Sequence, residues 1–267
     1  MCDTCGCNVT KGNQFRIAAG GHLHKTAAGN ESIEVLQSLL HANDVQAHHN
    51  REHFQRHGVL AVNLMSSPGA GKTALLEATI DALAGELRIG VIEGDLETEN
   101  DAMRIRAKGV PAFQISTGTA CHLDADMVHS ALHEFELDGL DVVFIENVGN
   151  LVCPASFDLG QHLNVALLST PEGHDKPAKY PVMFRAADLV LISKCDLLEV
   201  LDDFDPALAH RYVRQLANDA PVMTLSAKSG DGVVDWTDWI RSELHTLRQA
   251  PVAARAATET HRHGDAA

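Results

Sequence analysis

Three thiols stand within the first seven residues, at Cys2, Cys5 and Cys7. A C-x-x-C-x-C arrangement at a chain start is not explained by packing. Three soft donors beside an amino terminus suit a square-planar Ni²⁺ site. The rival reading, a Cys-x-x-Cys redox pair, needs a helix N-terminus in a thioredoxin-like setting, and the surrounding sequence has none. A second donor set is spread along the chain: Cys121-His122 and Cys153. Two thiols and an imidazole suit Zn²⁺ or Ni²⁺ and leave a position for water or a second subunit. Two buried structural cysteines are the alternative.

Between these sets runs Ser66-Ser67-Pro68-Gly69-Ala70-Gly71-Lys72-Thr73, a phosphate-binding pattern with Ser66 where its first glycine usually stands. Gly69, Ala70 and Gly71 bring backbone N–H groups close to phosphate, Lys72 supplies charge to the β- and γ-phosphates, and Thr73 offers a hydroxyl to Mg²⁺. Glu146 ends an apolar run, with Gly149 three residues on. That acid can hold Mg²⁺ through water, and the Gly149 N–H can meet a γ-phosphate. In the acidic stretch 94–101, Asp95 is a candidate for water-mediated Mg²⁺ contact and Asp101 for orienting the attacking water; a helix-capping acidic loop is the alternative. Ser193-Lys194-Cys195-Asp196 resembles the N-K-x-D element of GTPases, with Ser in place of Asn. Asp196 can accept two hydrogen bonds from guanine that adenine cannot give, and Lys194 would lie over the base. Ser226-Ala227-Lys228 resembles the last guanine-contacting element. The order of these elements points to GTP.

The elements that must carry these residues alternate. Apolar strand runs fall near 59–65, 89–94, 112–116, 141–146, 164–168, 188–192 and 222–225, and helical runs near 74–83, 125–135, 208–216 and 233–247. The expected fold is α/β, a mostly parallel sheet with helices on both faces, ligands gathering at the carboxyl ends of its strands. The phosphate pattern sits between a strand and a helix, as a P-loop NTPase requires. Four segments are expected: a flexible metal-binding tail (1–30), a helical segment (31–57), the GTPase domain (58–248) and a disordered tail (249–267). Helical spacing from Ile33 to Phe54, capped by Asn30 or Ser32, sets His49, His53 and His57 four apart. That face is either a chelating or a solvated one.

A formal net charge of −15 excludes a nucleic-acid protein. No run has the length of a membrane span, and the start lacks a signal-peptide pattern, so a cytoplasmic location is expected. Six cysteines in such a chain read as ligands rather than disulfides.

With these residues in hand, the chain resembles the HypB family, the hydrogenase nickel-incorporation GTPases. The resemblance covers about Val59 to Leu247. It rests on 66–73, Gly94-Asp95, Cys121-His122-Leu123-Asp124, the run Glu146 to Pro154, Asp175-Lys176-Pro177 and the Met-Cys-x-x-Cys-Gly-Cys start. It implies a GTPase of the signal-recognition and septum-site (SIMIBI) P-loop class that dimerises when GTP is bound. It further implies a metal site of Cys121, His122 and Cys153 at that dimer interface, a high-affinity nickel motif at Cys2, Cys5 and Cys7, a zinc-containing partner chaperone of the HypA type, and delivery of nickel to the large subunit of [NiFe]-hydrogenase. Three competing readings are a urease-type nickel GTPase, an iron–sulfur-scaffold P-loop ATPase and a passive metal store.

Overall fold

The computed structural model describes the backbone of residues 17–19, 22–24, 30–95, 99–118 and 120–249, with side chains from Leu39 onward. The candidate tail ligands Cys2, Cys5 and Cys7 lie outside the described residues. Two three-residue strands, β1 (Ile17–Ala19) and β2 (His22–His24), pair antiparallel. Runs this short give no period to read, which is why the sequence of 1–30 suggests no regular structure. Helix α1 (Asn30–His57) extends beyond the apolar period at both ends.

A seven-stranded sheet follows: β3 (Leu60–Ser66), β4 (Ile89–Asp95), β5 (Ala112–Ser116), β6 (Val142–Glu146), β7 (Leu163–Ser169), β8 (Leu189–Ser193) and β9 (Val222–Thr224). Every pairing in it is parallel, in the order β5-β4-β6-β3-β7-β8-β9. The helices are α2 (Lys72–Ala82), α3 (Asn100–Ala107), α4 (Ala125–Glu134), the short α5 (Lys176–Lys179) and α6 (Pro181–Arg185), α7 (Pro206–Gln215) and α8 (Val233–Gln249). Strands β3 and β6 are buried along their whole length, as continuous apolar runs covered on both faces must be. Leu64, Leu76, Phe144 and Trp236 pack together between the sheet and helices α2 and α8. Phe54, Val128, Leu132 and Ile145 fill the opposite face under α1 and α4. Helix α3 is absent from the sequence expectation because the acidic residues before it mask its short apolar face, Ala102 and Ile105.

Among the described residues no helix is long and apolar enough to cross a membrane. The topology sends the carboxyl ends of β3, β4, β5, β6, β8 and β9 to one edge, and the candidate site residues follow those ends.

Candidate functional site

Strand β3 delivers the chain into the loop 67–71, and α2 begins at Lys72. Gly71 has φ 99°, a left-handed conformation that a side chain would strain. Gly149 lies against this loop: a Cβ there would meet Pro68 Cα at 2.8 Å. Ser66, at the position usually held by glycine, is buried, and its Oγ accepts from Lys72 Nζ at 3.1 Å. Lys72 Nζ is also 3.9 Å from Glu146 Oε1, and Thr73 Oγ1 donates to the same oxygen at 3.0 Å. Lys72, Thr73 and Glu146 are therefore assembled at one point.

Glu93 joins them, and sequence reasoning missed it. It lies in register beside Glu146 on neighbouring strands and is 1 % exposed. Only the strand order, which a local motif does not reveal, puts the two acids side by side. Burial, then repulsion from Glu146, raises the Glu93 carboxyl to about 10, and it hydrogen-bonds Glu146. Burial raises Glu146 as well, against the pull of Lys72. Asp101 adds repulsion to both acids, while its own carboxylate accepts from Arg104 Nη1 at 3.0 Å in the first turn of α3. Asp95 closes β4 on the same edge. Glu93 Oε1 and Glu146 Oε2 are buried without a hydrogen-bond partner. With the Thr73 hydroxyl they form the oxygen-rich donor set that suits a hard dication such as Mg²⁺.

The shared proton has a measurable signature. Glu93 binds its proton in the folded protein and releases it on unfolding at neutral pH. Its contribution to stability is complete below the ordinary carboxylate pKa and is lost as pH rises towards about 10. Without Mg²⁺ or nucleotide, the wild-type stability falls relative to Glu93→Gln by up to about 1.4 kcal/mol per pH unit between about pH 6 and about pH 8. Urea unfolding of both proteins at the two pH values measures this. Parallel pH dependence would show that the pair holds no proton.

A second cluster surrounds a cleft of about 260 Å³ lined by Ala70, Gly71, Lys194, Asp196, Ser226 and Lys228, among others. Ala227 belongs to the same lining. Asp196 Oδ1 accepts from Ser226 Oγ at 2.6 Å, so the 193–196 and 226–228 elements meet at this cleft. Lys194 adopts φ 59° and donates through Nζ to Gly69 O at 2.7 Å. Ser193, standing where the pattern has Asn, donates to Ala70 O at 2.8 Å and fastens this element to the phosphate loop.

The third cluster is Cys121, His122 and Cys153, whose ligating atoms lie within 4.8 Å of one another. The Cys121 Sγ is 3.1 Å from the Cys153 Sγ, both in the thiol form. The His122 ring stacks on Phe157 with centroids 4.0 Å apart and is 3 % exposed, so its orientation is fixed by packing. Among the described residues this is the one set of three His, Cys or acidic side chains whose donor atoms already stand within that distance. Two thiols and one imidazole form a borderline-soft set that fits Zn²⁺ or Ni²⁺.

Two asparagines tie the neighbourhood of this cluster to β3 and to Ser66, where the phosphate loop begins. Asn147 is 1 % exposed; its Oδ1 accepts from Leu123 N at 3.1 Å and Val148 N at 3.0 Å, and its Nδ2 donates to Asn63 Oδ1 at 3.2 Å. Asn150 N donates to Ser66 O at 2.8 Å, and its side chain donates to Cys121 O at 3.3 Å and accepts from Val152 N at 2.7 Å. Sequence reading includes both in the run Glu146 to Pro154 but assigns neither a role, since loop asparagines carry no motif of their own.

A parallel sheet whose central strand runs through a Gly-Ala-Gly-Lys-Thr loop into a helix defines a P-loop nucleotide-binding protein. Residues 60–224 match the CobW/HypB/UreG nucleotide-binding domain, and the hydrogenase maturation factor HypB of Azotobacter chroococcum mcd 1 is 49% identical over 224 residues, covering 83% of this chain and 72% of that protein. The chain belongs to the HypB family of hydrogenase maturation factors. The crystal structure of HypB from Helicobacter pylori in complex with nickel superposes with a TM-score of 0.74 at 42% identity, over 78% of this chain and 98% of that one. HypB from Archaeoglobus fulgidus gives 0.72 at 40% identity, over 77% and 100%.

Proposed function

We propose that the chain is a GTP-hydrolysing nickel chaperone that hands nickel to the large subunit of [NiFe]-hydrogenase under the control of its nucleotide. The observation that carries this reading is the pair of hydrogen-bonded links, through Asn147 and Asn150, between the loop beside the phosphates and the Cys121–His122 loop. Lys72 exchanges Ser66 and Glu146 for the β- and γ-phosphates, and the loop amides 69–73 cradle them. Thr73 and Glu146, with Asp95 nearby, would hold Mg²⁺, which when bound would neutralise charge developing on the phosphates. Asp101 orients the attacking water once released from Arg104. Lys194 covers the base, and Asp196, Ser226, Ala227 and Lys228 recognise guanine.

Two copies associate on GTP binding and bring the Cys121, His122 and Cys153 sets together around the Ni²⁺ cargo; Zn²⁺ competes for the same donors. Hydrolysis removes the contact at Gly149, the loop 147–153 relaxes, and cargo affinity falls. The Cys2, Cys5 and Cys7 thiols receive nickel, and a HypA-type zinc-containing chaperone relays it.

The test is nickel affinity in a chain with Cys2, Cys5 and Cys7 replaced by Ala, measured by competition with GDP and with a non-hydrolysable GTP analogue. The expected difference is about tenfold or more, and linkage demands that nickel shift GTP affinity by the same factor. Equal nickel affinity in both nucleotide states would overturn the reading.

A further inference from the structure

Helix α1 packs along α4, each helix carries a pair of histidines, and Asn50 of α1 touches His129 of α4. On α4, His129 and His133 stand one turn apart with their Nε2 atoms 3.1 Å from each other. On α1, His53 and His57 stack with centroids 5.0 Å apart. Two imidazole nitrogens bound to one tetrahedral Zn²⁺ lie about 3.3 Å apart, given metal–nitrogen distances near 2.0–2.1 Å. The His129–His133 spacing is thus already that of two ligands on one ion.

The surroundings set the tautomers that ligation needs. Asn50 is fully buried and donates through Nδ2 to Ala125 O at 2.8 Å and Leu159 O at 3.0 Å. Its Oδ1 is therefore an acceptor, and it faces His129 Nδ1 at 3.1 Å. His129 carries its proton on Nδ1 and turns a bare Nε2 towards His133. His57 is arranged alike, with Nδ1 2.7 Å from Asp138 Oδ1. An outer acceptor on Nδ1 that leaves Nε2 for the ion is the usual support of a metal-ligating histidine. His53 completes the group: it stands three residues after Asn50 on α1, and so on the helix face that meets His129.

We propose that His129 and His133, joined by His53 across the α1–α4 contact, form a second divalent transition-metal site, all-imidazole and separate from the thiol cluster. The ion replaces the hydrogen bond between the two Nε2 atoms, His133 shifting to the tautomer that carries its proton on Nδ1, and His53 swings in from α1 as third donor. An all-nitrogen set takes Zn²⁺ or Ni²⁺ less tightly than thiolates do, as befits a store that exchanges freely.

The site is tested in the full-length chain with all six cysteines replaced by Ser or Ala, titrated with Zn²⁺ and with Ni²⁺ alone. One equivalent is expected to bind and raise the melting temperature. His133→Gln or His53→Gln should weaken binding about tenfold or more, while His245→Gln on α8 should not. Affinity unchanged by either the His133 or the His53 variant overturns the proposal. Should the cysteine-free chain fail to fold, Co²⁺ titration of the wild type separates the sites, because thiolate ligands give intense ultraviolet charge transfer and imidazoles do not. A bound equivalent lacking that band, and lost in His133→Gln, supports the site. Charge transfer with every equivalent overturns it.

Discussion

Asp196→Asn should lower GTP affinity by about 100- to 1,000-fold and give the protein a preference for xanthosine triphosphate. The carboxylate would accept from guanine N1–H and the N2 amino group, and charge-assisted hydrogen bonds are worth about 1.5–3 kcal/mol each. An asparagine amide meets those donors with donors of its own. Xanthine has a carbonyl where guanine has the amino group, so the amide finds an acceptor there. Ser226 Oγ holds one Asp196 oxygen at 2.6 Å, which fixes the plane in which the base is read. Equilibrium titration with GTP and XTP decides the point. GTP affinity within about threefold of wild type, with no gain for XTP, would remove Asp196 from base recognition.

The second large effect is on the fold and on control together. Asn147→Ala leaves the Leu123 and Val148 amides and the Asn63 carbonyl oxygen without their partner in a site that water does not reach. Each orphaned group costs about 1–3 kcal/mol, so a loss of at least about 3 kcal/mol is expected in urea unfolding. Asn150→Ala is the gentler companion. It keeps the main-chain bond to Ser66 O and drops the bond to Cys121 O. In that variant GTP should bind normally while nickel affinity no longer differs between nucleotide states. Retention of the full difference would mean that the signal travels by another route.

The fold was legible because its evidence is local. The β3 run, the loop 66–73 and the α2 pattern are contiguous, and each buried strand shows as an apolar run of strand length. The segments 193–196 and 226–228, which line one cleft, were legible for the same reason. The meeting of Cys121, His122 and Cys153 followed from the rule that loops after parallel strands share one edge. What the sequence hid depends on pairing across strands. Glu93 reads as an ordinary residue of β4 until β6 is laid beside it. Asn147 and Asn150 acquire meaning only when the Cys121 loop is placed over them. The His129–His133 spacing was visible as i, i+4, but its partner on α1 lies 76 or more positions earlier in the chain, and α1 alone offered two readings of its histidine face.

The links between the two loops have one further property. At the end beside the thiol cluster, both asparagines hold main-chain groups, the Leu123 amide and the Cys121 carbonyl, which every residue type but proline supplies in full. The ligand side chains are thus at liberty to diverge without severing the connection. Under the proposed function, a descendant of this chain can exchange a thiol for an imidazole or a carboxylate, and so change which ion it carries, while inheriting the proposed nucleotide-dependent timing intact. Selection on cargo and selection on timing act on different atoms, which makes this scaffold an evolvable one.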